Sequence, residues 1–158
     1  MNLQKMHIDI KNYLPHLQPM LMVDAISHIC LERVLTHFLI QNDCIFIENN
    51  CFSEAGLIEN AAQTCSSISG QYYFNEEPSL EAQNNPNVIG FISSIKKITI
   101  HQLPKIGDEI TTEAHLISQV QMPEYSICTL KVTTYQLDTL FLEGEMNLFL
   151  ENIVDEKK

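Results

Sequence analysis

Glu59 and Gln63 stand four residues apart in GLIENAAQ (56–63), a spacing that puts both side chains on one face of a helix. Their neighbours Leu57, Ile58, Ala61 and Ala62 are apolar or small. A carboxyl among such residues loses hydration, which favours its neutral form and suits it to donate a proton near neutral pH. Gln63 would orient that carboxyl by a hydrogen bond. A Glu59 turned to solvent would only stabilise the first helical turn through the macrodipole, and periodicity leaves the two readings level. Gly56 lies inside the same first turn, where N–H groups are unpaired and the missing side chain admits a ligand carbonyl, as at an oxyanion site. Close packing of backbone on a sheet asks for glycine equally well.

Other chemistries find less support. The six histidines (His7, His16, His28, His37, His101 and His115) show no H-x-x-x-H or H-E-x-x-H spacing, so local sequence assembles no metal site. The five cysteines contain no C-x-x-C pair, and an odd, scattered set fits buried free thiols in a reducing, cytoplasmic protein. No metal and no cofactor is expected. Nine Lys and Arg against twenty Asp and Glu give a formal charge of −11, which opposes the phosphate backbone and disfavours nucleic acid as a partner. Within that acidic chain Lys96, Lys97 and Lys105 gather around His101, either as a patch for an acidic partner or as lysines protecting a strand edge.

These residues need a frame. A chain of 158 residues, 45% hydrophobic with few Gly and Pro, suffices for one domain burying roughly two-thirds of its unfolded surface. Lys5, His7, Asp9 and Lys11 interrupt the N-terminal segment, and no apolar run reaches membrane-spanning length, so neither a secretory signal nor a spanning helix is expected. Pro15 and Pro19 forbid regular helix in LPHLQPMLMVD (14–24), which reads as a turn feeding a strand. Val34–Ile40 and Cys44–Ile47 read as an early hairpin turning at Gln41–Asp43. Ser53–Phe74 has helical spacing with Ser53 as N-cap. Its many Ala, Ser and Gly residues make it slim, and it bears a single charge after its first turn, Glu59, so it is expected to be wrapped by other elements. Residues 75–87 read as a loop, and strands follow at Val88–His101, Glu109–Gln121, Tyr125–Gln136 and Leu140–Leu150. The expectation is an α+β domain over 1–158, with its core at about 13–150 and a polar tail at 151–158. A strongly bent sheet would enclose the helix, with a second copy closing the open side.

Three stretches, in this order and spacing, resemble the hotdog-fold 3-hydroxyacyl-[acyl-carrier-protein] dehydratases of fatty-acid and polyene biosynthesis. LPHLQPMLMVD (14–24) is similar to the family's opening LPH block, GLIENAAQ (56–63) to its central-helix block, and KKITIHQLPKIGDEI (96–110) to its strand–PGD–strand segment. The retained LPH and the AGLIE at 55–59 resemble most closely the shortened dehydratase-like proteins of aryl-polyene and flexirubin-type pigment clusters, some of which act beside a second hotdog subunit. The resemblance implies a curved antiparallel sheet around the helix, a dimer whose sheets join, and an acyl tunnel at the interface. It implies Glu59 as the catalytic carboxylate assisting loss of the 3-hydroxyl, with Gln63 as its helix companion. Gly56 corresponds to the thioester-carbonyl donor, and Lys96, Lys97 and Lys105 to the basic surface that receives carrier protein.

One departure matters. The proline-rich block that carries the family's catalytic histidine is replaced by ENNCFSEAG (48–56), and Ile45 stands where that histidine would be. Asn49 and Asn50 lie nearby, but an amide cannot serve as a general base. His16, in the retained LPH block, is the remaining candidate for the base; a loop histidine that only holds its turn is the competing reading. The resemblance thus implies a dehydratase acting on an acyl-carrier-protein-linked 3-hydroxyacyl thioester, as a homodimer or as a heterodimer with another hotdog subunit. The alternatives are a non-catalytic partner subunit or acyl-binding protein, and a hotdog thioesterase in which the carboxylate activates water.

Overall fold

The computed structural model describes residues 8–74 and 88–152; the expected loop at 75–87 and most of the polar tail lie outside the described residues. The chain passes through a 3-10 turn at Ile10–Asn12 and then β1 (Ala25–Ile29), β2 (Arg33–Leu39), β3 (Ile47–Glu48) and β4 (Cys51–Phe52). It continues with α1 (Glu54–Phe74), β5 (Val88–Ile100), β6 (Glu109–Gln121), β7 (Tyr125–Gln136) and β8 (Thr139–Asn152). Six strands form one antiparallel sheet in the order β1-β2-β6-β7-β8-β5, and β3 pairs with β4 alone. This is the α+β hotdog arrangement, one helix against one large sheet.

The four late strands lie where alternation and turn chemistry put them. β7 buries Ser126, Cys128, Leu130, Val132 and Thr134 and turns the intervening residues outward, the period-2 pattern of a half-buried strand. Register shifts interrupt the ladders at Leu116/Ser118, Ile92/Ser94, Ile95/Lys97 and Thr134/Tyr135. Bulges of this kind bend a strand and increase its twist, which curls the sheet over α1. The helix is enclosed accordingly. Leu57, the run Asn60–Cys65 and Ser67–Ser69 are all buried, so the slimness legible in the sequence serves as room for neighbours.

The early hairpin differs from expectation. The partner of β2 is β1, turning at Cys30–Glu32, with Ala25 opposite His37 and Ile29 opposite Val34. Of the residues expected as its partner strand, Cys44–Phe46 are loop and only Ile47 enters a strand, β3; Cys44, Phe46 and Ile47 all contact the core. Beyond them Asn49 (φ 50°) and Asn50 (φ 61°) take consecutive left-handed conformations, the requirement of a tight two-residue hairpin turn and one that asparagine tolerates well. The β3–β4 hairpin is pinned to the loop before β6, where Phe52 N–H donates to Pro104 O at 2.8 Å and Ile106 N–H to Asn50 O at 3.3 Å. The expectation of uniformly buried thiols is also corrected: Cys65 and Cys128 are buried, Cys44 and Cys51 half-buried, and Cys30 exposed.

Candidate active site

α1 begins where the sequence places it. The Ser53 hydroxyl accepts from Gly56 N–H at 3.2 Å and its carbonyl from Leu57 N–H at 3.0 Å, satisfying two donors of the first turn. Gly56 is held by close packing, since a Cβ there would lie 2.6 Å from the Phe52 ring and 2.7 Å from Phe46 Cβ. The N–H a thioester carbonyl would use is thus already engaged by Ser53.

One turn along, Gln63 donates from Nε2 to Glu59 Oε1 at 2.8 Å, the i,i+4 contact the spacing predicts. Glu59 itself is half-buried rather than enclosed, because its face of the helix meets the loop that precedes β1. Gln63 is almost fully buried, 1% exposed, and both hydrogens of its amide and its oxygen are engaged. Nε2 also donates to Met20 O at 2.8 Å, and Oε1 accepts from Met22 N–H at 2.7 Å. The sequence reading of Gln63 as the companion of Glu59 contains the first of these bonds and lacks the other two, which tie the helix to the LPH block.

That loop carries His16 within electrostatic range of Glu59. The residue is half-buried, and its Nδ1 is buried without a hydrogen-bond partner among the described residues. Burial pushes the imidazole below the ordinary histidine pKa, while the Glu59 carboxylate acts on it in the opposite direction. The burial effect is the larger, so His16 is neutral at pH 7 and able to accept a proton. A stability consequence follows from its sign. The unfolded chain takes up this proton first, near pH 6.5, and the folded chain resists it, so stability is full above that pH and falls as pH drops towards the lower folded-state value. Urea midpoints measured at about pH 7.5 and about pH 5.5 are expected to fall more for the wild type than for His16→Gln. An equal fall would mean that the ring is hydrated in the folded protein.

Two residues of this neighbourhood escape the sequence reading. Asn60 is buried; its Nδ2 donates to Met22 O at 2.7 Å, and its Oδ1 accepts from Thr112 Oγ1 at 2.6 Å. An Asn in a helix interior is a mild signal, since its side chain competes with the helical backbone unless it has partners elsewhere. Thr112 on β6 carries no such signal.

The lysines are less gathered in space than in sequence. Lys96 pairs with Glu145 at 3.1 Å, and Lys97 stands opposite Glu145 on edge strand β5. Together with Thr99, Lys131 and Glu143, Lys97 lines a shallow hollow over Gly144. Lys105 lies on the loop bridged to Cys51, its N–H held by Asp108. Burial pushes the thiols of Cys44, Cys65 and Cys128 above their usual range, which makes them packing residues rather than nucleophiles. Among the described residues no group of three or more His, Cys, Asp or Glu is placed to hold a metal ion, and no helix is long and apolar enough to cross a membrane.

The structure is similar to one described as the ApeI:P dehydratase heterocomplex from Xenorhabdus doucetiae, with a TM-score of 0.71 and 15% identity over 94% of this chain and 93% of that one. It also resembles Cj0977, a virulence protein of Campylobacter jejuni (TM-score 0.59, 16% identity, 90% and 82% covered). A third likeness is to a hypothetical thioesterase with coenzyme A from Streptococcus pneumoniae (TM-score 0.54, 12% identity, 80% and 84% covered). At these identities the likenesses establish the fold. No curated protein matches significantly in sequence. The sequence itself matches the model of the ApeP-like family, described as ApeP dehydratase, over residues 8–156. With that model spanning nearly the whole chain, which holds the Glu59–Gln63 pair on its central helix, the protein belongs to the ApeP-like dehydratases, a shortened hotdog branch of lyases.

Proposed function

We propose that the protein eliminates water from a 3-hydroxyacyl thioester carried on acyl carrier protein, giving the trans-2-enoyl thioester in a polyene- or fatty-acid-type biosynthesis in the cytoplasm. The observation that carries this reading is the Nδ1 of His16, buried and without a hydrogen-bond partner among the described residues, within electrostatic range of a carboxyl group that Gln63 orients. A buried ring nitrogen left unsatisfied is costly, and an incoming C–H acid gives it a proton to take. In the proposed step neutral His16 accepts the C2 proton. The electron pair of that C–H bond forms the C2–C3 double bond as the C3–O bond breaks, and Glu59, entering the step as the protonated acid, delivers the proton with which the hydroxyl leaves as water. Proton return from His16 to Glu59 resets the pair. Gly56, with Gln63 nearby, marks the end of the helix at which the thioester would lie, its N–H becoming a carbonyl donor once Ser53 Oγ turns away. Lys96, Lys97 and Lys105 are assigned to the docking of an acidic carrier protein, an encounter weakened by the −11 net charge and by salt.

A second reading draws on the β3–β4 hairpin. The segment where the larger family keeps its histidine is here a short asparagine turn pinned to its neighbours, and the similar Xenorhabdus structure is described as a heterocomplex. In this reading the chain supplies Glu59 and a second hotdog subunit completes the site; in the first reading a homodimer suffices. Mass spectrometry of a 3-hydroxyacyl carrier protein incubated with the purified protein decides. Loss of one water mass is expected. An unchanged mass across short, long and aryl-polyenyl chains would overturn independent activity and direct attention to hotdog proteins that co-purify.

A further inference from the structure

Gln63 and Asn60 meet the loop before β1 from the same side. Between them they take every backbone polar group that Met20 and Met22 direct at the helix: Met20 O, Met22 N–H and Met22 O, at 2.7–2.8 Å. Both amides are 1% exposed, and the two bonds to Met22 are buried while that to Met20 is part-buried. Gln63 adds Glu59 to the set, while Asn60 leads away from it. The hydroxyl hydrogen of Thr112 goes to Asn60 Oδ1 at 2.6 Å, so in the 2.9 Å contact between the two threonines Thr134 is the donor to Thr112. This polar chain runs from the centre of the sheet, across β7 and β6, through the helix and into the loop. At the loop end the connection continues to the histidine, because Met20 N–H and Leu21 N–H both donate to Leu17 O, at 2.9 and 3.1 Å, and Leu17 follows His16.

We infer that Asn60 and Thr112 are positioning residues that set His16 against Glu59 by anchoring the Met20–Met22 backbone to the sheet. The inference rests on the proposed roles of His16 and Glu59. Neither residue touches the reacting atoms. Acting by itself, Gln63 would be a hinge about which the loop can rock. The second amide, itself fixed by the β6 hydroxyl, turns one support into two. A base and an acid that must act on adjacent carbons tolerate little displacement, and an error of about 1 Å costs on the order of a hundredfold in rate. Asn60 is a poor choice for helix formation and for a buried position without partners, which is accounted for if it is retained for this bracing.

Thr112→Val preserves shape and removes only the hydroxyl, and Thr112→Ser restores it. With a 3-hydroxyacyl carrier protein as substrate, Thr112→Val is expected to lower kcat about ten- to a hundredfold with KM changed by less than about twofold. Thr112→Ser is expected to stay near wild type. The second readout is the NMR titration of the His16 imidazole, which is expected to move up towards the ordinary histidine value in Thr112→Val, as the loosened loop admits water, and to stay in place in Thr112→Ser. Should Thr112→Val fail to fold, Asn60→Ala, which leaves space that water can fill, is judged by the same two readouts. A variant that loses thermal stability while kcat and the His16 titration stay unchanged overturns the inference and reduces the pair to core packing. Absence of water loss from the wild type would overturn the proposed activity instead, and the titration would still decide the bracing.

Discussion

Glu59→Gln is expected to lower the rate of water loss from a 3-hydroxyacyl carrier protein by about two to four orders of magnitude, the usual contribution of a positioned general acid or base, while the protein stays folded. The substitution changes one oxygen to a nitrogen and removes the ability to donate and regain a proton. Little else need change. Glu59 is half-buried and its Oε1 accepts one bond, from Gln63 Nε2 at 2.8 Å. In the variant the new amide oxygen can accept the same bond, so Met20 and Met22 keep their contacts with Gln63 and the loop stays in place. Turnover followed by mass spectrometry, with circular dichroism as the check on folding, separates the two effects. A variant that retains more than about a third of the rate would remove Glu59 from the chemistry, since no acid–base role is worth so little.

Gly144→Ala is expected to be strongly destabilising, by about 3 kcal/mol. A Cβ at this position would overlap Lys97 O and lie within 3 Å of two Ile98 atoms. The obstacle is the backbone of the edge strand, which has no rotamer to escape into. β8 must therefore move away from β5 at the middle of their ladder, where Gly144 stands opposite Ile98, and the ladder bonds on either side stretch. Gly107→Ala provides the contrast: Gly107 has φ +95° and nothing within 4 Å, so there the cost is conformational strain alone, about 1 kcal/mol. Urea denaturation of the two variants measures both. If Gly144→Ala costs no more than Gly107→Ala, β5 yields at that point and its edge is only loosely held.

The strand consequence bears on function because β5 is an edge of the sheet in the described residues, with β8 as its one neighbour. Its polar groups on the other side face outward, and such an edge readily accepts another strand. Weakening the β5–β8 ladder would therefore loosen one of the two edges of the described sheet, where a joining of sheets between two chains, as the family resemblance implies, would have to occur.

Much of this protein is determined by patterns that act within one element. The helix start at Ser53, its slim surface, the Glu59–Gln63 contact and the four late strands all follow from capping, from the helical repeat and from strand alternation. Each of these needs residues no more than a few positions apart. The pairing of β2 with β1 was beyond that reach: the apolar residues of 44–47 have the composition of one strand, yet Cys44–Phe46 pack on the core as loop and only Ile47 joins β3. The bonds from Gln63 to Met20 and Met22 join residues more than forty positions apart, and the one from Thr112 to Asn60 spans 52. No local period encodes such contacts. The unpartnered nitrogen of His16 is likewise a property of the enclosure that the loop makes with the helix, and the replacement of the missing proline-rich loop by a pinned hairpin depends on backbone bonds from a segment fifty residues on. Local patterns thus fix α1, the four late strands and the side chain that is the candidate acid. The tertiary structure decided which loop stands over that acid and what holds it there, because burial and hydrogen-bond satisfaction are settled only when distant segments close around the same buried groups.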